Sequence, residues 1–186
     1  MATKEVKVYE IINNKAGSNM FIQGLSGMLG FPFTMFVDAG VFFTHYGPML
    51  NSIRSIYGMG KADDGAMKTI ISGCGKEVIA DLVVDKVVGN IPLFGIPANI
   101  VCAKAMTWRL GILFGMLSSR GREITPESVE KTVILIREAF PQTNPVFFKK
   151  PSVEQVERLL SVVEGMELAS YKNKLDMILD GFGCDR

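Results

Sequence analysis

Charged side chains are almost absent from two long stretches of the chain. Residues 17–60 hold only two charged residues, and residues 87–117 hold another two. Each stretch is longer than the roughly 20 residues that a membrane-spanning helix requires. The remaining charges are concentrated in residues 1–16, 61–86 and 118–186. The pattern therefore alternates polar and apolar segments and ends on a polar C-terminal third.

Proline-centred breaks divide the apolar stretches into predicted helices. Pro32 interrupts the first stretch, and Pro92 and Pro97 precede the last long helix. Proline lacks a backbone N–H and restricts the residue before it, so each break favours a bend between two helices. We predict an all-α fold in which two Pro-broken apolar helical hairpins pack together and two amphipathic helices follow.

The C-terminal third carries start signals for those two amphipathic helices. Thr125-Pro126-Glu127 places an N-cap, a proline and an acidic side chain in the expected order. Ser152 and Gln155 have the spacing of a capping box.

The charge pattern also predicts how the chain is divided. It indicates three parts, namely a polar N-terminal tail at residues 1–17, an apolar hairpin module at residues 18–120 and the amphipathic C-terminal helices at residues 121–186.

Small residues recur every fourth position in the last apolar helix. They are Asn99, Ala103, Thr107, Gly111 and Gly115. This spacing places them in one stripe along the helix, where a second backbone can approach closely. The stripe predicts close helix–helix packing, either within lipid or in a tightly packed soluble hairpin.

Four ionisable residues within the apolar stretches form a candidate buried network. Asp38 and His45 lie seven residues apart on one predicted helical face, and Lys104 and Arg109 lie in the last apolar helix. A charge at the bilayer centre costs at least ~2.5–3.5 kcal/mol, so these residues are expected to pair or to reach the headgroups. Asp38 is the expected partner of one of the two cations. The pair is either structural or part of a proton or ion pathway.

The distribution of cations opposes a single membrane crossing by each apolar stretch. Lys and Arg occur before, between and after the two stretches, whereas the positive-inside rule places them on one side. Two hairpins that enter and leave from the cytoplasmic side satisfy the rule better. A bundle that buries the same hairpins in a soluble homo-oligomer satisfies it equally. We therefore expect membrane association or self-association through residues 18–117.

Several kinds of chemistry are not expected from this sequence. The formal net charge of +1 does not suit a nucleic-acid-binding protein. The segment Gly73-Cys-Gly75-Lys76 resembles a phosphate-binding loop but has Glu77 where a magnesium ligand is needed. One histidine and three scattered cysteines offer no metal-site spacing. We expect no catalytic, cofactor-binding or metal-binding residues.

Short motifs resemble the bacterial domain of unknown function DUF 697. The motifs are the run from Gly89 to Asn99, the segment from Ala103 to Gly111, and Phe31-Pro32-Phe-Thr34 with Asp38. The resemblance implies membrane association and work with an Era-like GTPase, which this chain would have to meet as a separate polypeptide. It implies no catalytic residues.

The expected function is that of a non-enzymatic, membrane-associated helical module that acts with a GTPase or another partner. Its expected location is the cytoplasmic face of the inner membrane. A cytoplasmic homo-oligomeric scaffold is the alternative, and a component of a pore or transporter is a third possibility.

Overall fold

The computed structural model describes five parts of the chain, which are residues 2–26, 39–74, 95–121, 124–140 and 147–163. Side chains are described for all of these positions except 19–26, 39–41, 95–100, 102, 137, 138 and 163. Most of the described residues are helical and none of them forms a strand, so the prediction of an all-α fold is confirmed. The helices are α1 (Lys4–Ser26), α2 (Ala39–Ile56), α3 (residues 64–74), α4 (Gly95–Ser119), α5 (Pro126–Ala139) and α6 (Val153–Val163).

Helix α4 lies at the centre of the bundle. From residue 105 to residue 119 every side chain except that of Arg109 is buried. Helices α1, α2, α5 and α6 all pack against it. The apolar surface that the sequence displays in this helix is therefore covered by the other helices of the same chain.

Helix α1 runs antiparallel to α4. Ile12 lies opposite Gly111, and Val8 lies opposite Gly115. Val8, Ile12 and Ala16 are spaced by four residues and are buried. Residues 4–17 therefore form the first half of a packed helix and not the predicted polar tail. Their buried stripe is three residues long, and five charged residues lie around it in the same segment.

Helix α2 also runs antiparallel to α1. The ammonium of Lys4 lies 5.5 Å from the ring centre of Tyr57, just beyond α2, and that of Lys15 lies 5.8 Å from the ring centre of Tyr46. Pro48 lies inside α2 without ending it. The helix ends at Ile56, and Gly58 then adopts a φ of +73°, which glycine tolerates without strain.

Both predicted caps are present at the C-terminal helices. Thr125 Oγ1 accepts a hydrogen bond from the Ser128 N–H at 3.2 Å at the start of α5. The Gln155 N–H donates to Ser152 Oγ at 3.2 Å, and the Ser152 N–H donates to Gln155 Oε1 at 2.9 Å. Each helix buries one apolar stripe against the bundle. The buried stripe residues are Val129, Val133, Ile136, Val156, Leu159 and Leu160.

One continuous hydrophobic core joins all six described helices. The boundary predicted at residue 120 marks a change in amino-acid composition. Residues on both sides of it belong to the same hydrophobic core. Of the predicted hairpin breaks, Pro32 and Pro92 lie outside the described residues. Pro97 is the third residue of α4, in a first turn where a missing N–H costs no helical hydrogen bond.

Candidate functional site

Three helix ends without charged residues meet at one end of the bundle. Because α1 runs antiparallel to both α2 and α4, its C-terminus points the same way as their N-termini. Residues 16–26 of α1, 39–44 of α2 and 95–103 of α4 contain no Asp, Glu, Lys or Arg. We call these three segments the uncharged end. The charged residues of α1 all lie in its other half.

A polar layer of three side chains marks the boundary of the uncharged end. The hydroxyl of Tyr46 in α2 and that of Thr107 in α4 share a hydrogen bond of 3.3 Å. Thr107 Oγ1 also donates to the carbonyl of Ala103 at 2.8 Å. The Lys15 ammonium of α1 lies 5.8 Å from the centre of the Tyr46 ring, so α1 contributes a side chain to the same layer. Tyr46 and Thr107 are fully buried, and burial raises the pKa of the Tyr46 hydroxyl well above its ordinary value.

His45 adjoins this layer and is uncharged at neutral pH. Its ring makes an edge-on contact with the ring of Tyr46, with 4.8 Å between their centres. Burial, and secondarily the positive charge of Lys15, lower the pKa of His45 from its ordinary 6.5 to about 4. The single imidazole of the chain is therefore a neutral side chain beside a lysine.

Acidification is expected to destabilise the protein through His45. Between pH 6.5 and pH 4 the unfolded chain binds a proton at this ring that the folded chain does not bind, so stability falls as the pH falls through this range. We expect a loss of about 1 kcal/mol, less than full linkage would give, because water partly screens the half-buried ring. Urea unfolding of wild type and His45→Gln across this range measures the difference. A constant difference between the two proteins would contradict the prediction.

Two further lysines lie close to the boundary layer. Lys104 is half-buried and lies three residues from Thr107 in the direction of the uncharged end. Lys150, in the segment before α6, donates to Asn13 Oδ1 at 3.2 Å. Its ammonium also lies 5.4 Å from the ring centre of Tyr9.

Three of the four ionisable residues predicted as one network are described, so the network as a whole stays a prediction. Asp38 lies outside the described residues, and so does the ion pair predicted for it. Arg109 faces α5, where its Nη2 donates to the carbonyl of Phe140 at 3.1 Å. A cation at the C-terminus of a helix complements the helix dipole, so Arg109 anchors the end of α5. His45 and Lys104 lie near the boundary layer.

The predicted small-residue stripe lies in helix contacts. A Cβ atom placed on Gly111 would lie 2.4 Å from Ile12 Cγ1 of α1. A Cβ atom on Gly115 would lie 3.0 Å from Leu160 Cδ2 of α6. Ala103 and Thr107 are fully buried, and the side chain of Asn99 is outside the described set.

Sequence reasoning missed three residues of this region, namely Lys15, Tyr46 and Trp108. Lys15 is the last charge before the uncharged run of α1, which is the signal that could have identified it. The sequence gives no such signal for Tyr46 or Trp108. Trp108 is fully buried and contacts Tyr9 with 5.1 Å between ring centres. Its indole Nε1 has no acceptor among the described residues.

The opposite end of the bundle holds an open cavity of about 500 Å³. Arg54, Lys61, Asp63 and Thr69 are among its lining residues. Asp63 Oδ1 accepts from the Ala66 N–H at 2.7 Å and so caps the first turn of α3. Its carboxylate thus occupies the helix terminus where an anion would bind.

The described residues contain no group of three or more His, Cys, Asp or Glu side chains that could hold a metal ion. Gly73 is helical, and a Cβ atom there would lie 2.6 Å from Val129 Cβ, so this glycine allows α3 to approach α5. Among the helices of the described parts, none is both long and apolar enough to cross a membrane.

Comparisons with known proteins return no relative. No family model, no curated protein and no solved structure matches the chain. The resemblance to DUF 697 stays a prediction based on short motifs.

Proposed function

We propose that this protein is a non-enzymatic helical module that associates with the cytoplasmic face of a membrane by its uncharged end. The observation that carries the proposal is the convergence of three uncharged helix ends at one end of a bundle whose other surfaces are charged. None of these three described segments carries an Asp, Glu, Lys or Arg side chain, so their insertion into hydrocarbon avoids the cost of moving those charges there.

The length of the uncharged end supports insertion into one leaflet. At a rise of 1.5 Å per residue, residues 16–26 of α1 extend about 16 Å and residues 95–103 of α4 extend about 13 Å. The hydrocarbon core of a bilayer is about 30 Å thick, so one leaflet offers about 15 Å. The boundary layer of Lys15, Tyr46 and Thr107 would then lie at the level of the headgroups.

Tryptophan fluorescence tests this orientation. Trp108 is the only tryptophan of the chain and lies on the charged side of the boundary layer. We expect little quenching of Trp108 when the protein binds vesicles whose acyl chains are brominated. A Phe21→Trp substitution in the Trp108→Phe background places the probe in the uncharged end of α1, and we expect strong quenching there. Equal quenching of both probes would contradict insertion by the uncharged end.

A homo-oligomeric scaffold is the second candidate. The observation that favours it is the burial of residues 110–119 of α4 by other helices of the same chain, so a second copy would have to dock elsewhere, and the uncharged end is the surface we propose for that contact. Multi-angle light scattering without detergent distinguishes the two candidates. A discrete oligomer that does not float with vesicles supports the scaffold and contradicts membrane association.

A GTPase on a separate polypeptide is the proposed partner. This part of the proposal depends on the resemblance to DUF 697 alone. Affinity purification of the full chain from its native membranes tests it, because a co-purifying GTPase should be recovered from the membrane fraction.

A further inference from the structure

We propose that the membrane recognised by this protein is rich in anionic phospholipid, and that a collar of lysines around the boundary layer binds the lipid phosphates. The collar consists of Lys15, Lys104, Lys149 and Lys150. This inference depends on the proposed membrane association. It adds the chemical class of the lipid and the depth to which the bundle inserts into the membrane.

The four lysines lie within a narrow band along the bundle axis. Lys15 lies at the height of Tyr46 and Thr107. Lys104 lies three residues further toward the uncharged end, which is about 4.5 Å along the axis. Lys150 contacts Asn13, two residues on the other side of Lys15, and Lys149 is its neighbour in sequence. The collar therefore extends over three elements of the bundle, namely α1, α4 and the segment before α6, near the start of the uncharged end.

Carboxylates are few near this band in the described part of the chain. Helices α2 and α4 contain no Asp or Glu, and the last acidic residue of α1 is Glu10, beside the Tyr9 ring that Lys150 contacts. Helix α5 carries Glu138 two residues before its C-cap Phe140. The acidic residues of α6 lie further from the uncharged end, since Glu157 accepts a hydrogen bond from Thr3 at 2.8 Å. None of the four collar lysines forms an ion pair with a described carboxylate. The charge at this height is thus positive on several sides of the bundle.

Lysine at this position suits the phosphate layer of a bilayer. Its apolar stem lies along the uncharged surface while its ammonium reaches the headgroups. Lys15 and Lys104 are half-buried, as this arrangement requires, and Lys149 and Lys150 are exposed. A basic side chain near an anionic membrane surface contributes about 1 kcal/mol, which corresponds to about fivefold in affinity. Zwitterionic lipid offers no such net attraction.

Vesicle flotation of the full-length protein tests the collar. We expect the protein to bind vesicles of phosphatidylcholine with 30% phosphatidylglycerol much more tightly than vesicles of phosphatidylcholine alone, and to lose this preference at high salt. Lys15→Gln with Lys104→Gln is expected to weaken binding to the anionic vesicles about 30-fold and to leave binding to the zwitterionic vesicles unchanged.

A matched control variant removes two lysine charges at a distance from the collar. Lys61 and Lys68 are exposed and lie in or just before α3, near the opposite end of the bundle, so Lys61→Gln with Lys68→Gln should change anionic binding less than twofold. Circular dichroism reports whether each variant is folded. Lys149→Gln with Lys150→Gln, at two exposed positions, repeats the test if the first pair fails to fold.

The outcomes separate the two proposals. Equal binding to both vesicle types, or equal losses in the collar and control variants, would overturn the collar and leave membrane association standing. Failure to bind either vesicle type would overturn both. A loss confined to anionic vesicles and to the collar variants supports the collar.

Discussion

Replacing Trp108 with alanine is expected to lower the free energy of unfolding by about 3–5 kcal/mol. The side chain is fully buried in α4 and contacts Tyr9 of α1, so its removal leaves a cavity between the two helices. Small domains are stable by only about 5–15 kcal/mol, so this loss is a large part of the total. Urea unfolding followed by circular dichroism measures it.

Trp108→Phe distinguishes the contribution of ring packing to stability from the cost of the buried indole N–H. Phenylalanine keeps much of the ring volume and removes the indole N–H, which has no acceptor among the described residues. An unsatisfied buried donor costs about 1–3 kcal/mol, so its removal offsets part of the lost packing. We expect Trp108→Phe to cost less than half as much as Trp108→Ala. Phe147→Ala is the control, because Phe147 is 64% exposed and should change stability by no more than about 0.5 kcal/mol. Equal losses at both positions would contradict the central place of Trp108 in the core.

Two Gly→Ala substitutions are expected to change stability in opposite directions. At Gly111 the new methyl group would lie 2.4 Å from Ile12 Cγ1, and overpacking of this kind costs about 1–3 kcal/mol. At Gly17, also helical, the new methyl group would have no described atom within 4 Å beyond its chain neighbours and the backbone of its own helix. Alanine there gains up to about 1 kcal/mol of helix propensity. We expect Gly111→Ala to be destabilising by about 1–2 kcal/mol and Gly17→Ala to be stabilising.

The partner of Gly111 is tested by a double-mutant cycle. Ile12→Ala removes the side chain that the new methyl group meets, so Gly111→Ala should be better tolerated in that background. We expect a favourable coupling of at least about 1 kcal/mol between the two substitutions. Additive effects would show that Ile12 does not limit the approach of α1 to α4. Stabilisation by Gly111→Ala alone would contradict the close contact itself.

The local features of the fold could be predicted because each depends on a few neighbouring residues. The caps at Thr125 and Ser152 are sequence signals that act within one helical turn, and both are present. The spacing of the small residues in α4 likewise predicted close helix packing, and side chains of α1 and α6 lie against two of them, Gly111 and Gly115. Residues 1–17 were predicted to be a polar tail because of their charges, and the structure shows that residues 4–17 are helical and that Val8, Ile12 and Ala16 are buried.

The composition of the candidate site could not be predicted because it depends on how distant segments align. Lys15 and Tyr46 are 31 positions apart and Tyr46 and Thr107 are 61 apart, yet one layer holds all three. Asp38 was expected to pair with Lys104 or Arg109 but lies outside the described residues, and the contact that the structure does show for Arg109 is with the carbonyl at the end of α5. Nothing near Arg109 in the sequence indicates which helix will end beside it.

The amino-acid sequence alone determined that this protein is helical, where its uncharged segments lie and how its C-terminal helices begin. These properties follow from side-chain composition and from interactions within a few residues. Only the tertiary structure decided that α1, α2 and α4 place their uncharged ends on the same side of the bundle and that Lys15 and Lys104 come from different helices to the boundary layer. The antiparallel packing that produces this arrangement is fixed by contacts such as Ile12 against Gly111, between residues far apart in the chain.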